Sequence, residues 1–372
     1  ESNTGGPTLS GITTFSGTNY FVPPVGTTAE RPENPQKGSI RFNTDTKKLE
    51  YFRGNTIGWS DIEASNHELG GGTGSNAGTG TRGIYGGYHV SGTTIEYITL
   101  STLGNSENFG NLSHGRYQAS QNCCNETRMI WGGGYDGGGW EDTIDYVTVA
   151  TKGDAIDFGN LSLARLQVQT VNSKTRGIFG GGQKAPNHSG SNILDYVTIA
   201  SAGHAKDFGD LNMEKAPSAS ASSSTRGIIQ YYSGAGPGTM EYITMASQGN
   251  ATHFGKLATL NGIYGGGSSA TRAVFGGGYI TNVMQYITMA SEGDSIDFGD
   301  LTVAKFNNRA FSSPTRAVFG GGLTTPGSTK TNLMDYVEIA TTGNAVSFGE
   351  MALMTNQQNT SGNSNGHGGL SG

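Results

Sequence analysis

Long apolar runs, basic clusters and a disulfide framework are all missing from this chain of 372 residues. No stretch approaches the roughly 18 consecutive apolar residues that mark a membrane-crossing helix, so membrane insertion is not expected. Charged residues make up only 14% of the chain, the formal net charge is -6, and there is no lysine- or arginine-rich run. Binding nucleic acid requires a basic surface to neutralise phosphates, so nucleic acid is not an expected partner. The two cysteines, Cys123 and Cys124, are adjacent. A bridge between neighbours closes a strained ring, so both are expected to be reduced strand residues, and stability has to come from packing. The start, Glu1-Ser2-Asn3-Thr4-Gly5-Gly6, has neither the basic nor the apolar segment of a signal peptide. It also lacks an initiator Met, so a processed or partial chain is expected.

What the chain has in abundance is glycine, 62 residues of it, without the three-residue period of collagen. Hydrophobic residues at 34% and aromatics at 9% are enough to bury a core. Gly, Ser, Thr and Asn interspersed with Tyr, Val and Ile point to short strands joined by many turns.

One glycine-rich stretch, Thr175-Arg176-Gly177-Ile178-Phe179-Gly180-Gly181-Gly182, raises the question of a phosphate-binding loop. Its relatives begin at Thr81, Thr127, Thr225, Thr271 and Thr315, with arginines at 82, 128, 176, 226, 272 and 316, a period of about 46 residues. A second motif follows each arginine: "EYITL" from Glu96, "DYVTV" from Asp145, "DYVTI" from Asp195, "EYITM" from Glu241, "QYITM" from Gln285 and "DYVEI" from Asp335. A third closes each repeat with Phe109, Phe158, Phe208, Phe254, Phe298 or Phe348 followed by glycine. Each motif alternates as a strand does, and a fourth strand is expected before the next arginine, as in "RLQVQTVNS" from Arg165 to Ser173. Four strands at this period match a propeller blade.

In their order, these motifs resemble the kelch repeat, with Phe where kelch units usually carry Trp. The resemblance covers roughly residues 80 to 355 and implies an all-β, kelch-like β-propeller of six four-stranded blades, with seven as the alternative. Repeat 1 lacks a strand before Arg82, because residues 67–80 read as a glycine-rich linker. The segment 352–370, within a propeller domain spanning 81–372, is expected to supply that strand and close the first blade. Repeat 4, which reads "TRGIIQYYSG" without the glycine triplet, is expected to be the most irregular.

Residues 1–66 form a different module. In "GSIRFNTDTKKLEYFRGNTIGWSDI", Ile40 and Phe42 alternate in one strand and Leu49 and Tyr51 in the next, with Trp59 and Ile62 ending a β-hairpin. After the proline-rich "RPENPQKG", this stretch resembles a segment found in tail-fibre and other virion proteins of tailed bacteriophages. Its pairing with the six repeats looks like virion appendage proteins, particularly of phages infecting marine cyanobacteria. The resemblance implies a structural virion protein located on the extracellular particle, a homo-oligomer attached to other virion proteins through residues 1–65. Its propeller would face outward to adhere to a host-surface glycan. A purely structural capsid, neck or tail subunit is the alternative, and a glycan-active enzyme the third reading.

The residues themselves offer little catalysis. The glycine triplets lie between strands and recur, whereas a phosphate loop opens a helix once. The repeated arginines and the acids or amides before each Tyr are expected to pair within or between blades. Asp154, Asp157 and Asn160, like Asp294, Asp297 and Asp300, lack the alternating ligands of a calcium loop. Seven scattered histidines show no metal spacing, and no nucleophile elbow is present. No catalytic residue, metal ligand or cofactor is assigned. Sequence variety concentrates instead between the first and second motifs of each repeat, and recognition commonly resides in such loops. Tyr135, Trp140, Tyr231 and Tyr232 are candidates to stack on sugar rings, with Asn187 supplying hydrogen bonds. Packing in a degenerate blade is the alternative for Tyr231 and Tyr232.

Overall fold

The computed structural model describes residues 23–46, 48–62, 81–87, 92–116, 122–231, 238–258, 265–278, 281–325, 327–352 and 361–370. The chain divides into two compact units, Glu1–His67 and Glu68–Gly372. Both are built from small sheets, and no α-helix occurs among the described residues.

The first unit is one four-stranded sheet. Val25–Gly26 runs parallel to Ile40–Asn43, which pairs antiparallel with Lys48–Phe52, and Trp59–Asp61 completes the order. Pairing of Arg41 with Glu50 places both on one face with Asn43. There Glu50 is fully buried, and Arg31 Nη2 at 2.5 Å and Asn43 Nδ2 at 3.1 Å donate to it. Those contacts, the Arg31 hydrogen bond foremost, hold the Glu50 carboxyl below its usual range. Ile40, Leu49 and Val25 fall on the opposite face and are exposed.

The second unit contains six four-stranded antiparallel sheets, one per repeat. In repeat 3 the order is Gln169–Asn172, Arg176–Gly180, Ile193–Thr198 and Lys206–Asp210. The first strand of repeat 1 is Ser361–Ser364, paired with Arg82–Gly86 across most of the chain's length. Residues 67–80 and 353–360 lie outside the described residues. First strands neighbour one another in cyclic order: Ser361–Ser364, Cys123–Cys124, Gln169–Asn172, Ala219–Ser222, Gly265–Ser268, Arg309–Ser312, then Ser361–Ser364 again.

Period-two alternation explains why the sheets associate. Ile178 joins the core shared with repeat 4, whereas Phe179 points back into the core shared with repeat 2. Val274 and Phe275, and Val318 and Phe319, divide in the same way. Every sheet therefore buries both faces, and each of the six apolar cores lies between consecutive repeats. The core between repeats 6 and 1 contains Tyr85, Ile98 and Leu100 with Phe311, Val318 and Met351. Cys123 and Cys124 are free and fully buried, and burial pushes both thiols up.

Two expectations are corrected. The stretch from Arg165 to Ser173 is not one strand: Arg165–Leu166 pairs with Gln183–Lys184, and Gln169–Asn172 alone joins the main sheet. Gln167, at φ 56°, makes the corner between them. The second strand of repeat 4 is also not broken where the glycine triplet is missing: among the described residues Arg226–Tyr231 pairs without interruption from Arg226↔Thr244 to Tyr231↔Thr239. The interruptions between second and third strands fall in repeats 2 and 5, at Glu141/Ile144 and Gly276/Gly278. The cause is the glycine itself: Gly181 (φ 66°) and Gly182 (φ 98°) leave extended geometry and end the strand of repeat 3 at Gly180. Gln230 and Tyr231 carry side chains, stay extended and lengthen theirs.

Candidate functional site

The repeated polar residues are used to join sheets. Each motif arginine lies over the Tyr of its own repeat, Arg176 over Tyr196 at 5.2 Å and Arg272 over Tyr286 at 4.4 Å. That Tyr meets the Phe of the third motif edge-on, as in Tyr196–Phe208 at 6.0 Å and 74°. The guanidinium then donates to carbonyls of the following repeat: Arg82 to Val149, Arg128 to Ile199, Arg176 to Ala246, Arg226 to Met289 and Arg272 to Ile339. Arg316 of repeat 6 donates to Leu100 and Ser101 of repeat 1. Outer strands are held in the same cyclic sense, Gly203 N–H to Phe158 O, Gly343 N–H to Phe298 O and Gly104 N–H to Phe348 O.

In repeats 2, 3, 4 and 6 the acid before the Tyr reaches the link from the preceding repeat. Ser162 Oγ donates to Asp195 at 2.6 Å and Thr302 Oγ1 to Asp335 at 2.5 Å, while Arg165 and Lys305 complete buried ion pairs with those two carboxylates. Arg116 pairs with Asp145 in the same way. Glu241 accepts from the Asn212 backbone N–H at 3.0 Å, and burial raises its carboxyl. Asp154 and Asp294 accept from the backbone N–H groups of Asn111 and Lys256, capping a neighbouring outer strand.

Two sets of loops remain. Turns between first and second strands lie at one face, where Ser173, Ser223, Ser269 and Ser313 accept from the N–H of the motif arginine. In repeat 1 that turn joins residues far apart in the chain: Asn365 Oδ1 accepts from Arg82 N–H at 2.7 Å, and Gly366 lies against Thr81. Residues beyond it cross the first strands. The His367 ring meets Cys124, and Gly368 and Gly369 press on carbonyls of Ser222, Ser269 and Asn172.

Loops between second and third strands lie at the other face, beside the links from one repeat to the next, as the pairings of Arg165–Leu166 with Gln183–Lys184 and of Lys305–Phe306 with Leu323–Thr324 show. Here the predicted residues separate. Tyr135 and Trp140 face each other across the hairpin of repeat 2, whose turn is fixed by Asp136 Oδ1 accepting from Gly138 and Gly139 N–H, both at 2.7 Å. Both rings are half-buried, and Asn187 in the loop of repeat 3 is exposed. Tyr231 is 1% exposed within the core between repeats 3 and 4, so it cannot face a ligand; burial also raises its phenol. Tyr232 lies outside the described residues.

The partner that sequence reasoning missed is His188, whose ring lies 4.8 Å from Trp140 at an angle of 53°. It sits at φ 53° with Nδ1 3.2 Å from Gln183 Oε1. Only its position beside Asn187 hinted at it, because the pairing joins loops of two different repeats. Glu141, next to Trp140, accepts from Thr143 Oγ1 at 2.9 Å and lies 3.6 Å from His114 Nε2.

Ser113, His114 and Glu141 outline a serine–histidine–acid arrangement, with Ser113 Oγ 2.9 Å from His114 Nδ1. The Ser113 hydroxyl, however, donates to Asp145 at 2.7 Å, the same bond that Ser162 and Thr302 make in their repeats. It is a sheet-joining contact. Among the described residues no cluster of three or more His, Cys, Asp or Glu is placed to hold a metal ion. No protein-family description and no curated protein matches the chain.

Proposed function

We propose that the second unit is a kelch-like, six-bladed β-propeller in a virion appendage of a tailed phage, with its variable-loop face adhering to a host-surface glycan. The propeller reading is supported by six equivalent sheets whose first strands, arginine contacts and outer-strand bonds all follow one cyclic order. The observation that carries the adhesive role is the division of labour between faces. Residues common to the repeats are engaged in sheet-to-sheet contacts, Arg82 and Asn365 meet at one face, and loop variety lies at the other. Attachment to other virion proteins falls to residues 1–65. Exposed Val25, Ile40, Leu49, Ile57 and Ile62 supply apolar surface for such a contact.

Labelled protein is expected to bind host cells and to compete with phage particles for adsorption. Protein that is present on the particle but neither binds cells nor slows adsorption would instead identify a shell, neck or tail subunit.

A further inference from the structure

Resting on the adhesive reading, we infer that the seam between the hairpin of repeat 2 and the loop of repeat 3 is a binding site for an uncharged pyranose, built on Trp140 and His188. Among the described residues of the second unit, this is the aromatic pair that lies outside the apolar cores, and its two rings come from adjacent repeats. A rigid hairpin presents one ring: Tyr135 stands opposite Trp140, the Tyr135 hydroxyl donates to Gly137 O at 3.1 Å, and Asp136 fixes the turn. A left-handed backbone at His188 and its contact with Gln183 present the other. Rings held this way lose little freedom when a ligand arrives, which favours binding.

The chemistry around the rings selects the ligand. A pyranose offers an apolar C–H face to an indole and a ring of hydroxyls at its edge, and half-buried Trp and Tyr suit such two-sided partners. Donors and acceptors for the hydroxyls stand on the loop of repeat 3: Gln183 against His188, and exposed Asn187. Asp136, Glu141 and Asp142 outnumber Lys184 in the same two loops, giving a field that repels carboxylated, sulfated or phosphorylated sugars. A neutral glycan fits. An acidic polysaccharide does not.

The test uses the full chain, titrated with neutral hexose oligosaccharides (gluco- and galacto-oligomers) and with oligoalginate as the acidic probe, followed by Trp fluorescence and calorimetry. At least one neutral oligomer should bind at least tenfold more tightly than oligoalginate. Trp140→Ala should weaken that binding tenfold or more, and His188→Gly, which keeps the left-handed backbone, severalfold. Both variants should melt as the parent does. Tighter binding of oligoalginate, no binding of any neutral oligomer, or unchanged binding by a folded Trp140→Ala protein would overturn the assignment. Host-cell binding that survives Trp140→Ala would sink this site while leaving adhesion intact. Trp140-dependent oligosaccharide binding without host-cell binding would support the site and remove the adhesive role.

Discussion

His367, 3% exposed, is held neutral by its surroundings: Nδ1 accepts from Gly369 N–H at 3.0 Å, and Nε2 stands 2.9 Å from the Cys124 carbonyl. Burial lowers its pKa from 6.5 to about 4. Between those values the unfolded chain takes up the proton more readily than the folded one, so stability rises with pH through this window. The contribution is complete above pH 6.5 and is lost as pH falls toward 4. From pH 7 to pH 5 it amounts to about 2 kcal/mol. Urea titrations at the two values should show the parent losing about that much more stability than His367→Gln; equal losses would refute a buried neutral ring. Single residues were the least legible level in the sequence. Tyr231 and Trp140 both read as candidate loop aromatics, with packing as the alternative for Tyr231; Tyr231 is core and Trp140 half-buried, because a strand's end depends on which neighbour interrupts it.

At the level of strands and turns, the repeat made much more legible. Alternation in "GIFGG" and "DYVTI" fixed which residues enter which core, since a sheet buried on both faces leaves little choice of register. The split of residues 165–173 was hidden, because the corner is a non-glycine residue in left-handed geometry with no sequence mark. The glycine after each motif Phe was read as part of a strand, and its reason appears only between repeats. At Gly209 (φ 145°) a Cβ would lie 2.5 Å from Gly249 O, in the place where Gly249 N–H bonds to Phe208 O. Gly209→Ala therefore has to separate two outer elements or strain its backbone, costing about 2–4 kcal/mol in urea unfolding. Gly139→Ala, with nothing within 4 Å of its Cβ, should change stability by less than about 0.5 kcal/mol. Equal effects at the two sites would mean that the outer-strand contact yields easily.

For the whole second unit, the decisive element is the last ten described residues. Ser361–Ser364 is the first strand of repeat 1, its Asn363 amide donates to Asn122 O at 2.6 Å, and the Ser364 hydroxyl reaches Ser312 O. The strand thereby touches repeats 1, 2 and 6, and the turn at Gly368–Leu370 touches the first strands of repeats 3, 4 and 5. One short segment meets all six repeats. The two halves of that segment should contribute unequally. Removing residues 367–372 takes away the buried His367 and its contacts but leaves the sheet and the Asn365 cap, so melting should fall by only a few degrees. Removing residues 361–372 also strips a four-residue strand and exposes the core where Tyr85 meets Phe311 at 5.3 Å. With about 1 kcal/mol for each lost backbone bond, the loss is roughly 5 kcal/mol or more, or a fall of about 10 °C in Tm. Trypsin should then cut first near Arg82, whose backbone N–H has lost Asn365. If the longer deletion melts no lower than the shorter one, the two ends are not what holds the six sheets together, and the propeller reading loses its closure.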